Sequence, residues 1–187
     1  MFLNIITPCC RPQNLQQISE SINIPRENYR WIVVFDRDNL PDCQLPSNCE
    51  TYCYRDTRSK AGHGQRNFAK NLLTHGHVYQ NDDDTLMHSE LWNNIKDLDN
   101  DFISFSQGTA SGELRLPGNI VKVFHIDTHN FIVSYKLSQS FSFIVDRYNA
   151  DGLYAEACYA QAKNPIFIPK VLSIYNSLRP EASRNTP

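Results

Sequence analysis

The amino-acid sequence predicts an α/β sandwich built around a largely parallel sheet. Helix-like and strand-like segments alternate through the first half of the chain, which is the pattern of successive βαβ units. Residues 31–35 form a continuous apolar run that ends at Asp36, as expected for a strand buried on both faces. The second half of the chain is richer in strand-like segments and contains one clear helix.

The individual elements follow from apolar spacing and from turn residues. Leu15, Ile18 and Ile22 lie on one face of a helix, which Pro12 precedes and Pro25 follows. Comparable spacing predicts helices over residues 14–22, 65–73, 91–98 and 152–162. Short apolar runs predict strands over residues 2–6, 31–35, 50–54, 77–80, 102–105, 120–124, 131–134 and 166–174.

Bulk composition favours one globular domain. With 187 residues, of which 41% are hydrophobic and 20% charged, the chain can bury a substantial core. The net charge of −2 argues against nucleic acid or an anionic membrane as a partner. No segment predicts a membrane span or a secretion signal, so we expect a cytoplasmic protein. We expect the domain over residues 1–178 and a disordered tail or linker over residues 179–187.

The six cysteines permit two interpretations. In a cytosolic protein they are expected to be reduced thiols rather than a disulfide framework. Cys49 and Cys53 have ligand-like spacing, so a zinc site is the alternative, although no matching Cys or His pair follows them.

Acidic side chains follow two of the predicted strands. Asp36 ends one of them, and Asp82, Asp83 and Asp84 follow strand 77–80. Ligands of open parallel sheets bind outside the carboxyl ends of the strands. Carboxylate oxygens suit Mg²⁺ or Mn²⁺, and alternate carboxylates such as Asp82 and Asp84 can face one side. The competing interpretation is an acidic turn that caps the next helix, a role for which one acid suffices.

A basic connection lies between the strand at 50–54 and the next helix. It contains Arg55, Arg58, Lys60 and Arg66, with glycines at positions 62 and 64 that permit close approach to a phosphate. Arg66 is the best candidate for a phosphate contact, since a guanidinium group matches phosphate oxygens. An ordinary solvated basic loop is the alternative.

Four motifs in this order resemble those of the nucleotide-sugar glycosyltransferases of the GT-A fold, particularly family 2. They are "IITPCCRP", "WIVVFDRDN", "GHGQRNFAKNLL" and "YQNDDDTLMHSELW". The resemblance covers residues 1–100 well and the remainder loosely, and it extends to small viral enzymes of this class. It implies a Rossmann-like three-layer α/β/α sandwich with a mixed, mainly parallel central sheet. Residues 1–100 would form the nucleotide-sugar half of the domain, and residues 101–178 the acceptor half.

The resemblance also implies roles for individual residues and for partners. The donor would be a nucleoside diphosphate sugar, most simply a UDP-sugar, the acceptor a glycan or another hydroxyl compound, and the metal Mn²⁺ or Mg²⁺. Many family members have Asp-Asp after the second strand, whereas this chain has Asp36-Arg37-Asp38, which leaves the identity of the base open. The implied positions are Thr7, Pro8 and Arg11 at the nucleotide pocket, Asp36 at the base, Arg66 at the diphosphate, Asp83 at the ribose, and Asp82 and Asp84 at the metal.

An inverting enzyme of this class uses a late carboxylate to deprotonate the acceptor hydroxyl. Asp151, directly before the predicted helix 152–162, is the first candidate, Glu156 the second and Asp146 the third. The alternative for Asp151 is helix capping. In an enzyme that retains the anomeric configuration, Asp151 would instead orient the acceptor.

His125, Asp127 and His129 alternate along the chain, and on a strand they would share one face. Some GT-A enzymes add a late histidine to the metal, so His129 or Asp127 is a further candidate metal ligand. Satisfied hydrogen-bonding roles are the alternative.

Other classes of protein fit parts of the sequence. Asp36 and Asp38 at a strand end match the start of a haloacid-dehalogenase-type phosphatase, although Asn39 departs from that motif. A non-catalytic module that binds sugar nucleotides would keep the fold without the activity. A sugar nucleotidylyltransferase is disfavoured, because no Gly-rich phosphate-gripping stretch follows the first strand.

Overall fold

One eight-stranded mixed sheet organises residues 1–179, the part of the chain that the computed structural model describes. The strand order is β3-β2-β1-β4-β7-β5-β6. Strand β8 lies off this path and pairs with β5. The expected tail at 179–187 lies outside the described residues, apart from Arg179. The strands are β1 (Leu3–Cys9), β2 (Tyr29–Phe35), β3 (Glu50–Cys53), β4 (His77–Gln80), β5 (Phe102–Gly108), β6 (Leu114–Leu116), β7 (Phe131–Ser134) and β8 (Pro165–Ile174).

Five α-helices cover the sheet. They are α1 (Leu15–Ser21), α2 (His63–Lys70), α3 (Leu91–Ile95), α4 (Tyr135–Gln139) and α5 (Ala150–Gln161). Within residues 1–179, none of them combines the length and the apolar character that crossing a membrane requires.

Alternating residues of the central strands divide the core into two layers. In β2, Trp31, Val33 and Phe35 pack in one apolar cluster, and Ile32 and Val34 pack in the other. This period of two sends successive side chains to opposite faces of the sheet. Helices α1 and α3 contribute to the first cluster, and α2, α4 and α5 contribute to the second. The predicted three-layer sandwich is therefore confirmed.

The direction of the strands creates one shared rim. Strands β1, β2, β3 and β4 are all parallel, with β1 between β2 and β4. The antiparallel strand β7 then joins β4 to β5, and β8 returns parallel to β5. The sheet is thus mixed and mainly parallel, as expected. The carboxyl ends of β1, β2 and β4 meet at one rim, where ligands of such sheets bind.

Two parts of the sequence prediction were wrong. Residues 120–124 form turns rather than a strand, with Ile120 and Phe124 exposed, because a short apolar run has no periodicity that separates a strand from a loop. Residues 125–129 also do not form a strand: they lead into a short 3₁₀ helix at Thr128–Asn130, so His125, Asp127 and His129 do not share a strand face. The short elements β6 and α4 carry no strong pattern and were not predicted.

Candidate functional site

A cleft of about 410 Å³ opens at the carboxyl rim of the sheet. The segment after β4, the start of α2, the loop between β6 and β7, the start of α5 and the segment after β8 all contribute to its walls. Its charged lining residues are Arg66, Asp82, Arg115, Asp127, Asp151 and Arg179. Residues that are distant in the sequence therefore meet at one polar site.

Asp82 faces this cleft and has two cationic partners beneath it. One of its oxygens accepts a hydrogen bond from the Arg66 guanidinium, and the other lies 3.0 Å from His129 Nε2. Its backbone N–H donates a hydrogen bond to the same His129 atom at 3.1 Å. Burial opposes ionisation of Asp82, but Arg66 and His129 outweigh it and hold its pKa well below its usual range. Asp82 is therefore a fixed anion at physiological pH.

His129 completes this charge arrangement from below. Its side chain is 1% exposed. Burial is the largest single effect and lowers the pKa of His129, but the charge of Asp82, its hydrogen bond to the ring and the Asp127 and Asp84 carboxylates together raise it to about 9. The contact with Asp82 explains why a histidine is buried at this position, without a role as a metal ligand.

Arg66 is held by the entry to α2. The helix begins after Gly62, which has a φ of 75°, and the Arg66 guanidinium donates to the Ala61 carbonyl as well as to Asp82. A Cβ atom at Gly62 would overlap the Pro8 side chain. The space beside this glycine is thus filled by Pro8 rather than left for a phosphate. The Arg66 side chain is only 2% exposed, so its first role is to hold Asp82.

Asp83 binds the end of β1 rather than the cleft. It accepts hydrogen bonds from the backbone nitrogens of Cys10 and Arg11, at 2.6 Å and 2.7 Å, and from the Arg11 side chain at 2.5 Å. Asn14 donates to its carbonyl at 2.8 Å. Asp83 therefore joins β1 to the acid triplet, at the point of the rim between the ends of β2 and β4.

Asp84 is paired with the segment that follows β8. Arg179 Nε donates to its carboxylate at 2.5 Å, and Arg11 lies 3.3 Å from the same oxygen. The Leu178 backbone nitrogen donates to the Asp84 carbonyl at 2.8 Å. Since Arg179 lines the cleft and the Asp84 side chain is 2% exposed, the guanidinium lies between Asp84 and the open space.

The acid triplet offers a divalent cation one directly accessible carboxylate, that of Asp82. Within residues 1–179, no group of three or more His, Cys, Asp and Glu side chains is arranged to hold a metal. Mg²⁺ and Mn²⁺ often use only one or two protein carboxylates and take their other ligands from phosphate and water. Asp82 is one such carboxylate in the cleft, and Asp84 lies behind Arg179.

Asp151 also lines this cleft. It occupies the first turn of α5, which begins at Ala150 after the N-cap residue Asn149, so Asp151 is not the capping residue. Burial raises its pKa to about 6, and the neighbouring Asp127 carboxylate adds to this effect. An acid with this pKa is mostly ionised at neutral pH yet basic enough to accept a proton.

The other two candidates for the base lie elsewhere. Glu156 accepts a hydrogen bond from the Val123 backbone nitrogen and is not among the residues that line the cleft. Asp146 is exposed and also lies outside the lining. Of the three carboxylates proposed from the sequence, Asp151 alone faces the cleft.

Asp127 and His125 have separate roles. Asp127 caps the 3₁₀ helix Thr128–Asn130 and lies 2.9 Å from the Arg115 guanidinium. His125 is exposed. Only Asp127 and His129 of this trio reach the site, one through the cleft wall and one beneath Asp82.

Asp36 lies in a second, more open cleft of about 560 Å³, which Arg37, Asp38, Arg55 and Asp56 also line. Asp36 follows β2 directly and is exposed. Asp38 is 69% exposed and pairs with Arg55 at 3.1 Å, which gives no support to a buried Asp36–Asp38 phosphatase site. Thr7, in contrast, is buried and accepts a hydrogen bond from the Trp31 indole at 3.0 Å.

Several cleft residues were not identified from the sequence. His63 is 2% exposed and stacks on Phe143. Burial lowers the pKa of His63 to about 4, so it is neutral. The position of His63 between Gly62 and Gly64 could have marked it as a residue of the site. Arg115 in the short strand β6 gave none, and neither did the loop residues Phe124, Tyr148 and Arg179, because no recognisable motif surrounds them.

Comparison with solved structures identifies the architecture. Residues 1–349 of S. aureus TarS superpose with a TM-score of 0.72 at 14% sequence identity, covering 93% of this chain and 60% of that one. The fold is that of GT-A-type glycosyltransferases. TarS 1–349 in complex with UDP-GlcNAc gives a TM-score of 0.68 at 14% identity, with coverage of 93% and 58%.

A second GT-A structure is that of a mannosyltransferase. The mannosyltransferase PcManGT from Pyrobaculum calidifontis, in complex with GDP-Man and Mn²⁺, has a TM-score of 0.66 at 14% identity, covering 96% of this chain and 57% of that one. The chain therefore spans less than two thirds of either GT-A protein. No protein-family model and no curated protein sequence matches it.

Proposed function

We propose that the protein is a glycosyltransferase that transfers a sugar from a nucleoside diphosphate sugar, most simply a UDP-sugar, to a hydroxyl group of a glycan. The observation that carries the proposal is that Asp82 and Asp151 line one cleft, at the carboxyl rim of a GT-A sheet. One acid is a fixed anion, and the other has a pKa near 6. Two carboxylates with such different pKa values suit two different tasks.

The donor would lie along the rim of the sheet. Its base would contact Asp36 in the second cleft, and its ribose would lie near Arg11 and Asp83, at the end of β1 between β2 and β4. The diphosphate would then reach Asp82 and Arg179 in the first cleft. This path follows the strand order β2-β1-β4. Asp36 lies at the end of β2, Asp83 is bound to the end of β1, and Asp82 follows β4.

A divalent cation, Mn²⁺ or Mg²⁺, would be held by Asp82 and by Asp84 after exchange of Arg179. When bound, it would neutralise the charge that develops on the departing diphosphate. Arg66 and His129 would keep Asp82 ionised and oriented, and Arg179 would donate to phosphate oxygens once it leaves Asp84.

Asp151 would be the general base. Its carboxylate would accept the proton of the acceptor hydroxyl while the hydroxyl oxygen bonds to C1 of the sugar. The bond from C1 to the phosphate oxygen would break in the same step, and its electron pair would leave with the diphosphate. This sequence inverts the anomeric centre, so the product configuration distinguishes it from the alternative in which Asp151 only orients the acceptor.

The test is a donor screen with the purified protein. UDP-glucose, UDP-galactose, UDP-GlcNAc and GDP-mannose are incubated with Mn²⁺, and release of the nucleoside diphosphate is followed with and without a mixture of oligosaccharides. We expect release from at least one UDP-sugar, stimulated by an oligosaccharide and reduced at least a hundredfold in Asp151→Asn. Release from none of the four donors by the folded protein would contradict the proposal.

A further inference from the structure

Two aromatic side chains project from the walls of the first cleft into solvent. The Phe124 side chain is 81% exposed and the Tyr148 side chain 67% exposed, the highest values among the large hydrophobic residues of the described chain. Both line the cleft that contains Asp151. Single exposed apolar residues are common, but two exposed rings beside a candidate general base form an apolar surface at a polar site.

Phe124 is held in this position at a conformational cost. Its φ is 67°, in the left-handed region that a bulky side chain rarely adopts. The ring gains little burial in return. Backbone strain that is not compensated by packing concentrates at binding sites.

The loop that carries Phe124 is fixed directly to the helix that carries Asp151. The Val123 backbone nitrogen donates to Glu156 in α5. A Cβ atom on Gly152 would lie 2.7 Å from the Val123 Cα atom, so the loop and the first turn of the helix are in close contact. Tyr148 lies three positions before Asp151 in the chain. The segments that carry both rings are therefore joined to the start of α5, where Asp151 lies.

We infer that Phe124 and Tyr148 form the acceptor subsite and stack on a pyranose ring of the acceptor glycan. A pyranose has an apolar face of C–H groups, which suits the electron-rich face of an aromatic ring, and a rim of hydroxyl groups. The same cleft supplies Asp127, Asn149 and Asp151 to bind hydroxyls. This combination of exposed rings with carboxylate and amide groups matches a carbohydrate better than a purely apolar or purely ionic acceptor.

The inference rests on the proposed function, because it assigns the acceptor side of the same cleft. It also gives Glu156 a structural role in place of the role of a base. Its carboxylate positions the Phe124 loop through the Val123 backbone.

The test measures acceptor binding separately from donor binding. Saturation-transfer NMR is recorded with the UDP-loaded protein and four disaccharides at millimolar concentration: cellobiose, maltose, lactose and diacetylchitobiose. We expect transfer to one face of at least one disaccharide, and at least a tenfold loss of its affinity in Phe124→Ala and in Tyr148→Ala. Tyr159→Ala is the matched control, because Tyr159 is an exposed aromatic residue of α5 outside the cleft lining, and it should leave this affinity unchanged.

Calorimetric titration of UDP into the same variants separates the two proposals. If UDP binds to all variants and the disaccharide affinity falls only in the two cleft variants, the acceptor subsite is supported. If UDP binds but no disaccharide shows saturation transfer, or the cleft variants bind it as the wild type does, the subsite is overturned while the proposed function stands. If the folded wild type fails to bind UDP, the proposed function fails first.

Discussion

His129 Nε2 lies 3.0 Å from Oδ2 of Asp82, a carboxylate that lines the cleft. The buried His129 ring beside this carboxylate supplies a positive charge. The sequence pattern had suggested a role as a metal ligand for the same residue. The 3₁₀ helix Thr128–Asn130, which Asp127 caps, brings the His129 ring to Asp82. The His129–Asp82 pair therefore sets the charge of the site and contributes to the stability of the fold.

The pair predicts a loss of stability at alkaline pH. The pKa of His129 in the folded protein is raised to about 9, above its value in the unfolded chain, so its contribution is complete below about pH 6.5 and is lost as the pH rises through 9. We expect the free energy of unfolding of the wild type to fall by about 2 kcal/mol between pH 6.5 and 10 through this group. Urea denaturation of the wild type and of His129→Gln over this range measures the effect. Parallel pH profiles for the two proteins would contradict it.

Asp151 predicts a coupling between activity and stability. Its pKa of about 6 lies above the unfolded value, so ionisation destabilises the fold as the pH rises through 6. Asp151→Asn should therefore be more stable than the wild type at pH 8, by about 1 to 2 kcal/mol, and lose this advantage at pH 4. Thermal unfolding at the two pH values tests this. In the wild type, kcat/KM should fall below pH 6, when the base becomes protonated; a rate that is constant down to pH 5 would argue against Asp151 as the base.

Arg179 predicts competition between a side chain and a metal. Because its guanidinium pairs with the buried Asp84, removal of its charge leaves Arg11, at 3.3 Å, as the remaining cationic partner of Asp84 within residues 1–179. We expect Arg179→Gln to be destabilised by about 1 to 3 kcal/mol without metal, as for other buried charges that lose a partner. Mn²⁺ should raise its melting temperature by more than that of the wild type.

The control for Arg179 is Lys136→Gln, which removes one exposed positive charge from α4, outside the cleft. Its response to Mn²⁺ should equal that of the wild type. If Arg179→Gln also responds like the wild type, Asp84 does not exchange Arg179 for a cation.

The strained loop predicts that function and stability oppose each other at Phe124. Glycine adopts a φ of 67° without penalty, and the exposed Phe124 ring contributes little burial. We expect the free energy of unfolding of Phe124→Gly to lie between the wild-type value and about 1 kcal/mol above it, although glycine makes the unfolded chain more flexible. Chemical denaturation gives the value directly. A loss of several kcal/mol would mean that the ring packs as a structural residue.

The regular part of the fold was predictable from the sequence, because it depends on local pattern. The run at residues 31–35 and the spacing of Leu15 and Ile18 matched β2 and α1 closely. Acidic residues at strand ends also predicted the rim on which Asp36 and Asp82 lie, since strand direction fixes which ends meet.

The interior of the site was not predictable in the same way. The pairing of Asp84 with Arg179 joins residues 95 positions apart, and no local pattern indicates it. The support of Asp82 by His129 depends on the 3₁₀ helix Thr128–Asn130, which lies in a segment that resembles a strand in sequence. Phe124 was expected within a strand because its apolar neighbours suggested one, whereas the chain uses a left-handed turn to expose it.

Calorimetric titration of UDP, with and without Mn²⁺, tests the central claim most directly: the rim cleft binds a nucleoside diphosphate through Asp82. For the wild type we expect binding that Mn²⁺ strengthens at least tenfold. In Asp82→Asn that dependence on Mn²⁺ should disappear, while Asp146→Asn, which removes an exposed carboxylate outside the cleft, should behave like the wild type. If the folded wild type binds UDP in neither condition, or if Asp82→Asn binds UDP with undiminished Mn²⁺ dependence, the account is contradicted.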